Sequence, residues 1–246
     1  MLVDVVLYGG ELDLLKARMN YLQADYTVVV EGNYQFAGQF KGWTLADHVT
    51  MWMDKRLVYC PVESLQSGNA WENEFHQRNA VKDCLNQLPL EEDTIVGLFD
   101  TDEFPDREML LSQPRVTSWM MRKHQGSVFW YQQDELTGVS GPWSDVRDSD
   151  LAGLRKSRHL LPHVEAGFHL SSFGTLEETR SKWNGFSHQE LKRPDMDEWV
   201  EECWSAGRAI ENGAWLNELD TMPSDLPEYF KNRLGPEHWY RKRHVA

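Results

Sequence analysis

Over the first hundred residues, short runs of β-branched and aromatic residues alternate with longer amphipathic segments. That alternation restricts the fold more than any other feature of the chain. VDVVLY (3–8), YTVVVE (26–31), a short run at 56–60 and TIVGLF (94–99) read as strands. Between them, ELDLLKARMNYL (11–22) puts Leu12, Leu15, Met19 and Leu22 on one helical face, and further helices are expected near 45–54 and from about 70 to 86. Strands that return through helices pair in parallel and are covered on both faces. The pattern therefore predicts an α/β fold, Rossmann-like, with a mostly parallel sheet and flanking helices. Ligands of such sheets bind beyond the carboxyl ends of the strands.

Past residue 115 the pattern loosens. SVFWYQQ (127–133) reads as a strand, followed by a polar loop, DELTGVSGPWSDVRDSD. Residues 164–173 read as a strand and 175–185 as a helix, with Thr175 as N-cap and Glu178 as its capping-box partner. From 194 onward the chain reads as helix and loop, an irregular helical C-terminal part. There is no internal repeat, and the 41% hydrophobic content suffices for one domain spanning 1–246.

The net charge of −14 opposes loose association with nucleic acid or an anionic membrane. No run approaches the length of a membrane span, and the N-terminus lacks the basic head and apolar stretch of a signal peptide. Three cysteines, Cys60, Cys84 and Cys203, cannot all pair internally and have no metal-site spacing, which points to a reducing compartment. A cytoplasmic protein is expected. Of eleven tryptophans, Trp43, Trp71, Trp130, Trp143 and Trp183 sit among polar residues. Indole faces pack on sugars and bases, so a carbohydrate or nucleotide site competes here with ordinary packing.

The strand at 94–99 delivers four acidic residues, Asp100, Asp102, Glu103 and Asp106. In an extended segment residues i and i+2 project to one side, so Asp100 and Asp102 can face a single hard cation while Thr101 points away. Mg²⁺ or Mn²⁺ prefers such oxygen donors and bridges to substrate phosphates. Asp-x-Asp also makes turns and helix caps. A phosphotransferase of the haloacid dehalogenase type would use the first Asp as nucleophile, but its motif lies near the start of a domain and precedes small residues. Here Glu103 and Phe104 follow.

Several blocks now combine in order: ELDLLKARMNYL, DYTVVVEGNYQFAG (25–38), WENEFHQRNAV (71–81), FDTDEFP (99–105) and AGFHLSSFGTLEETRSKWNGFSHQE (166–190). The ordered set resembles glycosyltransferase family 17, the family of β-1,4-mannosyl-glycoprotein 4-β-N-acetylglucosaminyltransferase, over roughly residues 5–235. The resemblance implies a GT-A type fold, a UDP-sugar donor (UDP-GlcNAc), a divalent ion, usually Mn²⁺, held by Asp-x-Asp, and inversion at the anomeric carbon. It implies a nucleotide-sugar-binding half at 1–112 and an acceptor half at 113–246. The acceptor is a glycan, a lipid-linked sugar, a protein or a modified nucleobase. A sugar-nucleotide-binding module without turnover is the non-catalytic alternative.

Residue by residue, Asp102 is the first choice as metal ligand, with Asp100 sharing the ion or the ribose. His169 or His188 completes the coordination, and the sequence does not separate them. Glu31, in the block where Gly32 replaces the family's serine, accepts bonds from base or ribose, or is an acidic loop residue. Arg78, with Asn79 beside it, suits the diphosphate, and a pair with Glu74 is the competing account. Glu177 and Glu178 are candidate general bases at a helix start, with Glu178 also the capping residue. Lys182 meets the diphosphate or pairs with Glu178. WYRKRH (239–244) concentrates positive charge and reads as a solvated end, or as a lid over donor phosphates.

Overall fold

The computed structural model describes residues 1–48, 54–232 and 234–243. Its first half follows the alternation: β1 (Leu2–Tyr8), α1 (Leu12–Leu22), β2 (Tyr26–Gly32), β3 (Leu57–Val62), α2 (Ala70–Leu85) and β4 (Ile95–Asp100). The helix expected near 45–54 is a single 3₁₀ turn at Leu45–Asp47; positions 49–53 of that expectation lie outside the described residues. The four strands pair in parallel in the order β3-β2-β1-β4. β1 is buried on both faces, which is why it reads as a nearly continuous apolar run. Val3 and Val5 pack with Val28, Val30, Val81 and Leu85. Val6 and Tyr8 pack with Leu15 and Met19 of α1. The one charged residue inside β1, Asp4, is fully buried and accepts two bonds from Arg18 of α1, at 2.7 and 2.6 Å.

The second half departs from expectation. It contains β5 (Glu103–Phe104), α3 (Arg107–Leu111), β6 (Thr117–Gln125), β7 (Trp130–Pro142), α4 (Trp143–Val146), α5 (Leu151–Lys156), β8 (His163–Ser171), α6 (Leu176–Gly185), α7 (Met196–Ala206), β9 (Asn217–Glu218) and α8 (Glu228–Lys231). The sheet continues as β4-β7-β6-β8-β5, with β9 on β7. Here only β6 and β8 run parallel; β4/β7, β6/β7, β5/β8 and β7/β9 are antiparallel. The fold is α/β with flanking helices, but the sheet is mixed, and parallel throughout only in its first half. Residues 134–142, expected in a loop, complete β7. Their glycines are packing positions: a Cβ at Gly138 would lie 2.1 Å from the Phe99 ring, and one at Gly141 2.9 Å from the Val116 Cα. No described helix is long and apolar enough to cross a membrane.

Trp130, Trp143 and Trp183 are buried, so packing accounts for them. Trp239 and Tyr240 join Phe104, Trp130, Phe168, Phe173 and Phe230 in one core cluster. The stretch at 239–243 is therefore built into the fold, contrary to the expected solvated end. Cys60 and Cys84 form a disulfide between β3 and α2, leaving Cys203 free and buried. Cysteine usage thus gives no support to a reducing compartment.

His124 of β6 is 1% exposed, between Tyr131 and Phe168. Burial pushes its pKa down to about 4. The unfolded chain, titrating near 6.5, binds the extra proton first as pH falls. This contribution is complete above pH 6.5 and is lost on acidification through pH 4, by up to roughly 3 kcal/mol. Urea midpoints at pH 7 and 4.5 should differ less in His124→Phe than in the unaltered chain; an equal difference would refute the assignment.

Candidate active site

The carboxyl ends of β1, β2 and β4 open at one edge, where Tyr8 stands opposite Glu31 and Leu7 opposite Asp100. Asp100 ends β4. Its Oδ1 accepts from Arg78 Nη2 and its Oδ2 from Arg155 Nη2, each at 2.7 Å. The chain then turns, with Thr101 Oγ1 donating to the Leu7 carbonyl at 2.9 Å. That turn carries Asp102 to a different set of partners. Asp102, 3% exposed, accepts from Lys182 Nζ at 2.6 Å through Oδ2 and has His169 Nε2 at 3.5 Å. Its Oδ1 accepts no bond from the described residues. Glu103 is held by both arms of Arg155, at 2.6 and 3.1 Å, and accepts from the Asp100 amide. It does not cap the following helix; Asp106 does, through the Met109 amide.

A polar chain runs away from Asp102 through the second half of the sheet. His169 lies on β8 opposite Glu103 of β5 and Lys123 of β6. Its Nδ1 is 2.8 Å from Glu135 Oε2, the same oxygen that Lys123 Nζ approaches at 3.2 Å. Lys123 also donates to Glu211 Oε1 at 2.8 Å. On the other side, Lys182 lies 3.4 Å from Glu11, which accepts from the Gly9 amide at 3.0 Å.

These contacts fix the charges. Burial resists ionisation of Asp102, but the Lys182 ammonium and the His169 ring overcome it and hold the carboxyl well below the usual range. Burial opposes protonation of His169, yet Asp102 and then Glu135 push its pKa up to about 10. Asp100 is lowered to about 2: burial is outweighed by Arg155 and Arg78. Glu135 is lowered to about 2 against its burial by His169 and Lys123. The site at neutral pH is a set of carboxylates interleaved with fixed cations.

The remaining expected residues fall in varied places. Glu31 is fully buried and accepts from Thr44 N and Oγ1, Leu45 N, Lys41 Nζ and Tyr59 Oη. With those donors already on it, Glu31 fastens the 41–45 loop and has no capacity left for a ribose. Asn79 accepts from the Ala152 amide at 3.1 Å, setting the start of α5, the helix that carries Arg155. Arg78 reaches both Asp100 and Glu74, joining the two accounts of it. Glu178 forms the capping box with Thr175, which engages its Oε2, while Glu177 is exposed in the first turn of α6. Lys182 pairs with Asp102 and Glu11 instead of Glu178. His188 is exposed, bonded to Glu190 at 2.6 Å and edge-on to Trp71, and it touches neither aspartate. That removes it as the metal's histidine. Arg155, Glu135, Lys123 and Glu11 were not foreseen; only Glu11, directly after the Gly9-Gly10 that ends β1, carried a positional signal.

No three of His, Cys, Asp and Glu among the described residues converge as a closed metal cage. The donor set nonetheless suits a hard divalent ion that completes its shell with substrate oxygens and water. Asp102 Oδ1 is open, and the Asp100 side chain is 33% exposed at the same edge. His169, protonated between two carboxylates, has no lone pair to offer in this state. A concavity of about 560 Å³ lies at the opposite edge of the sheet, lined by Met1, Glu92, Ile95 and Pro142, and involves none of these residues.

A family model described as glycosyltransferase family 17 matches residues 1–200. Among solved structures, 2-C-methyl-D-erythritol 4-phosphate cytidylyltransferase of Francisella tularensis is similar at 9% identity and a TM-score of 0.40, covering 73% of this chain and 97% of that one. A 4-diphosphocytidyl-2C-methyl-D-erythritol synthase is similar at 13% identity and a TM-score of 0.37, covering 82% and 98%. Both overlaps are too loose to bear on function. No curated protein matches the chain.

Proposed function

The chain belongs to glycosyltransferase family 17, and from that premise we propose that it moves a sugar, GlcNAc, from a UDP donor to a glycan hydroxyl with inversion and with help from Mn²⁺ or Mg²⁺. The observation that carries this reading is the Asp100–Thr101–Asp102 turn. It sets two carboxylates at the ligand-binding edge, each against its own fixed cations. A divalent ion on Asp102 and Asp100 would supply positive charge to the departing diphosphate.

The chain's own groups divide the remaining work. Lys182, 31% exposed and already facing the edge, exchanges part of its contact with Asp102 for a diphosphate oxygen. Arg155 stays buried and keeps Asp100 and Glu103 from recoiling. Inversion needs a carboxylate across the sugar from the leaving group. Glu135 is preferred to Glu177 or Glu178 by its contacts, although Lys123 and His169 weaken it as a base and at least one of them must turn aside as the acceptor proton is taken. One imidazole separates it from Asp102, both its bonds fall on Oε2, and Oε1 is left for an acceptor hydroxyl.

A thermal-shift screen of nucleotide sugars with and without Mn²⁺ tests the reading. UDP-GlcNAc with Mn²⁺ should raise the midpoint by several degrees and be slowly hydrolysed. No response to any nucleotide sugar at millimolar concentration, with or without metal, would end it. Glu135→Gln should keep donor affinity while acceptor turnover falls about 100-fold; unchanged turnover would remove Glu135 from the role.

A further inference from the structure

A second site lies in the acceptor half, where the chain has gathered N–H donors without acceptors. Arg241 places its guanidinium 3.3 Å over the Trp204 ring of α7 and 4.5 Å over the Trp130 ring at the start of β7. Arg241 Nε and Nη2, Trp130 Nε1 and Trp204 Nε1 are all buried and have no hydrogen-bond partner among the described residues. Neighbouring cations each have an acceptor by comparison, although Arg243 Nε also lacks a hydrogen bond and stands 3.9 Å from Glu218. Arg243 donates to the Gly207 and Leu216 carbonyls, Lys242 to the Asp220 carbonyl, and Arg208 to Glu202. Of these four, Arg241 alone has no carboxylate or carbonyl acceptor on its Nε and Nη2 among the described residues, in a chain with 39 acidic residues.

Leaving a buried N–H unpaired is costly, and a charged one more so. Four together, one pair of them on a cation, define a cluster rich in donors and positive charge and poor in acceptors. Water brings two lone pairs and no charge. A tetrahedral or planar oxyanion brings several lone pairs and the missing negative charge, and a guanidinium is the side chain best shaped to receive it. Burial alone pushes the Arg241 pKa down to about 9, as expected of a cation lacking its counter-ion. Arg241 and Trp204 are half-buried, so the cluster reaches the surface.

Its place in the fold says what would bring the oxyanion. Arg241 Nη2 rests against Gly126, where a Cβ would stand 2.8 Å away. The Gly126 amide donates to the carbonyl of Ser171, two residues beyond His169 on β8. The cluster is thus at the carboxyl end of β8, the strand that carries His169. We propose that Arg241, Trp130 and Trp204 form an oxyanion subsite that takes a phosphate, sulfate or carboxylate group carried by the acceptor. That the acceptor carries it rests on the glycosyltransferase reading; oxyanion binding by Arg241 does not.

Calorimetric titration with inorganic phosphate at low salt tests the subsite on the full chain. The unaltered protein should bind, Lys182→Met should keep that binding, and Arg241→Met should weaken it at least about 10-fold, with Arg241→Lys in between. Circular dichroism on each variant establishes that it is folded, and should Arg241→Met fail to fold, Arg241→Lys carries the comparison. Glucose 6-phosphate binding at Arg241 where glucose does not bind would identify a sugar-borne anion; response to inorganic phosphate alone would limit the site to the free ion and overturn its acceptor role. No binding by the unaltered chain up to about 50 mM, or binding lost in Lys182→Met and kept in Arg241→Met, would overturn the subsite itself. Failure of every nucleotide sugar to bind while Arg241-dependent phosphate binding persists would instead strike only the glycosyltransferase reading.

Discussion

Asp102→Asn should lower sugar transfer by at least about 1,000-fold and destabilise the fold at the same time. The activity effect follows from position: Asp102 sits at the carboxyl edge of the sheet with one carboxylate oxygen open and the other on Lys182. The stability effect follows from charge. An amide at 102 leaves the Lys182 ammonium and the His169 imidazolium without the carboxylate that both face. Removing one member of a fully buried pair costs about 3–5 kcal/mol, and the partial exposure of Lys182 reduces that to roughly 2–3 kcal/mol. Denaturant midpoints of Asp102→Asn, Lys182→Met and the double variant form the check. The double variant should be less destabilised than the sum of the singles. Strict additivity would mean the ion pair does not exist in solution, and wild-type turnover in Asp102→Asn would remove the residue from the chemistry.

The second large effect is expected at Arg155→Met. This guanidinium, 8% exposed, spans Glu103 and Asp100 and also donates to the Leu98 carbonyl at 3.2 Å. Without it, two carboxylates three residues apart face each other with only Arg78 on one of them. A loss of about 3–5 kcal/mol follows, which for a chain of this size lowers the thermal midpoint by roughly 10 °C. Arg155→Lys should recover little, because an ammonium cannot present the parallel N–H pair that holds Glu103. A midpoint within about 2 °C of the unaltered protein would show that water had replaced the clamp.

The sequence was most legible where one physical rule acted alone. β1, β2 and β4 are apolar because both faces are covered, and α6 announces itself through Thr175 and Glu178, whose reciprocal bonds are present. Where two demands met, the pattern was hidden. β6 ends in Lys123, His124 and Gln125, all buried, so a strand carrying a polar network lost the alternation that marks strands. β7 needs glycine at 138 and 141 for close packing, and glycine in sequence reads as a turn. The site divides in the same way. Asp100, Asp102 and Lys182 come together, and Arg78 with them, because the carboxyl edge of a sheet can be located from strand ends. Glu135 could not be located, since it lies in the stretch mistaken for a loop, and Arg155 sits on a short helix, Leu151–Lys156, that the sequence pattern did not reveal. The place of His188, away from both aspartates, was hidden because the sequence does not say which way a loop turns after a helix.

Leu14 and Ala17 of α1 share a core cluster with Trp239 and Tyr240. During synthesis, therefore, a nascent chain that has exposed α1 still lacks the aromatic plug that packs against it. Ribosome-bound intermediates that have not yet exposed Trp239 and Tyr240 should display that apolar face to chaperones, and the core around α1 should close only when the plug seats.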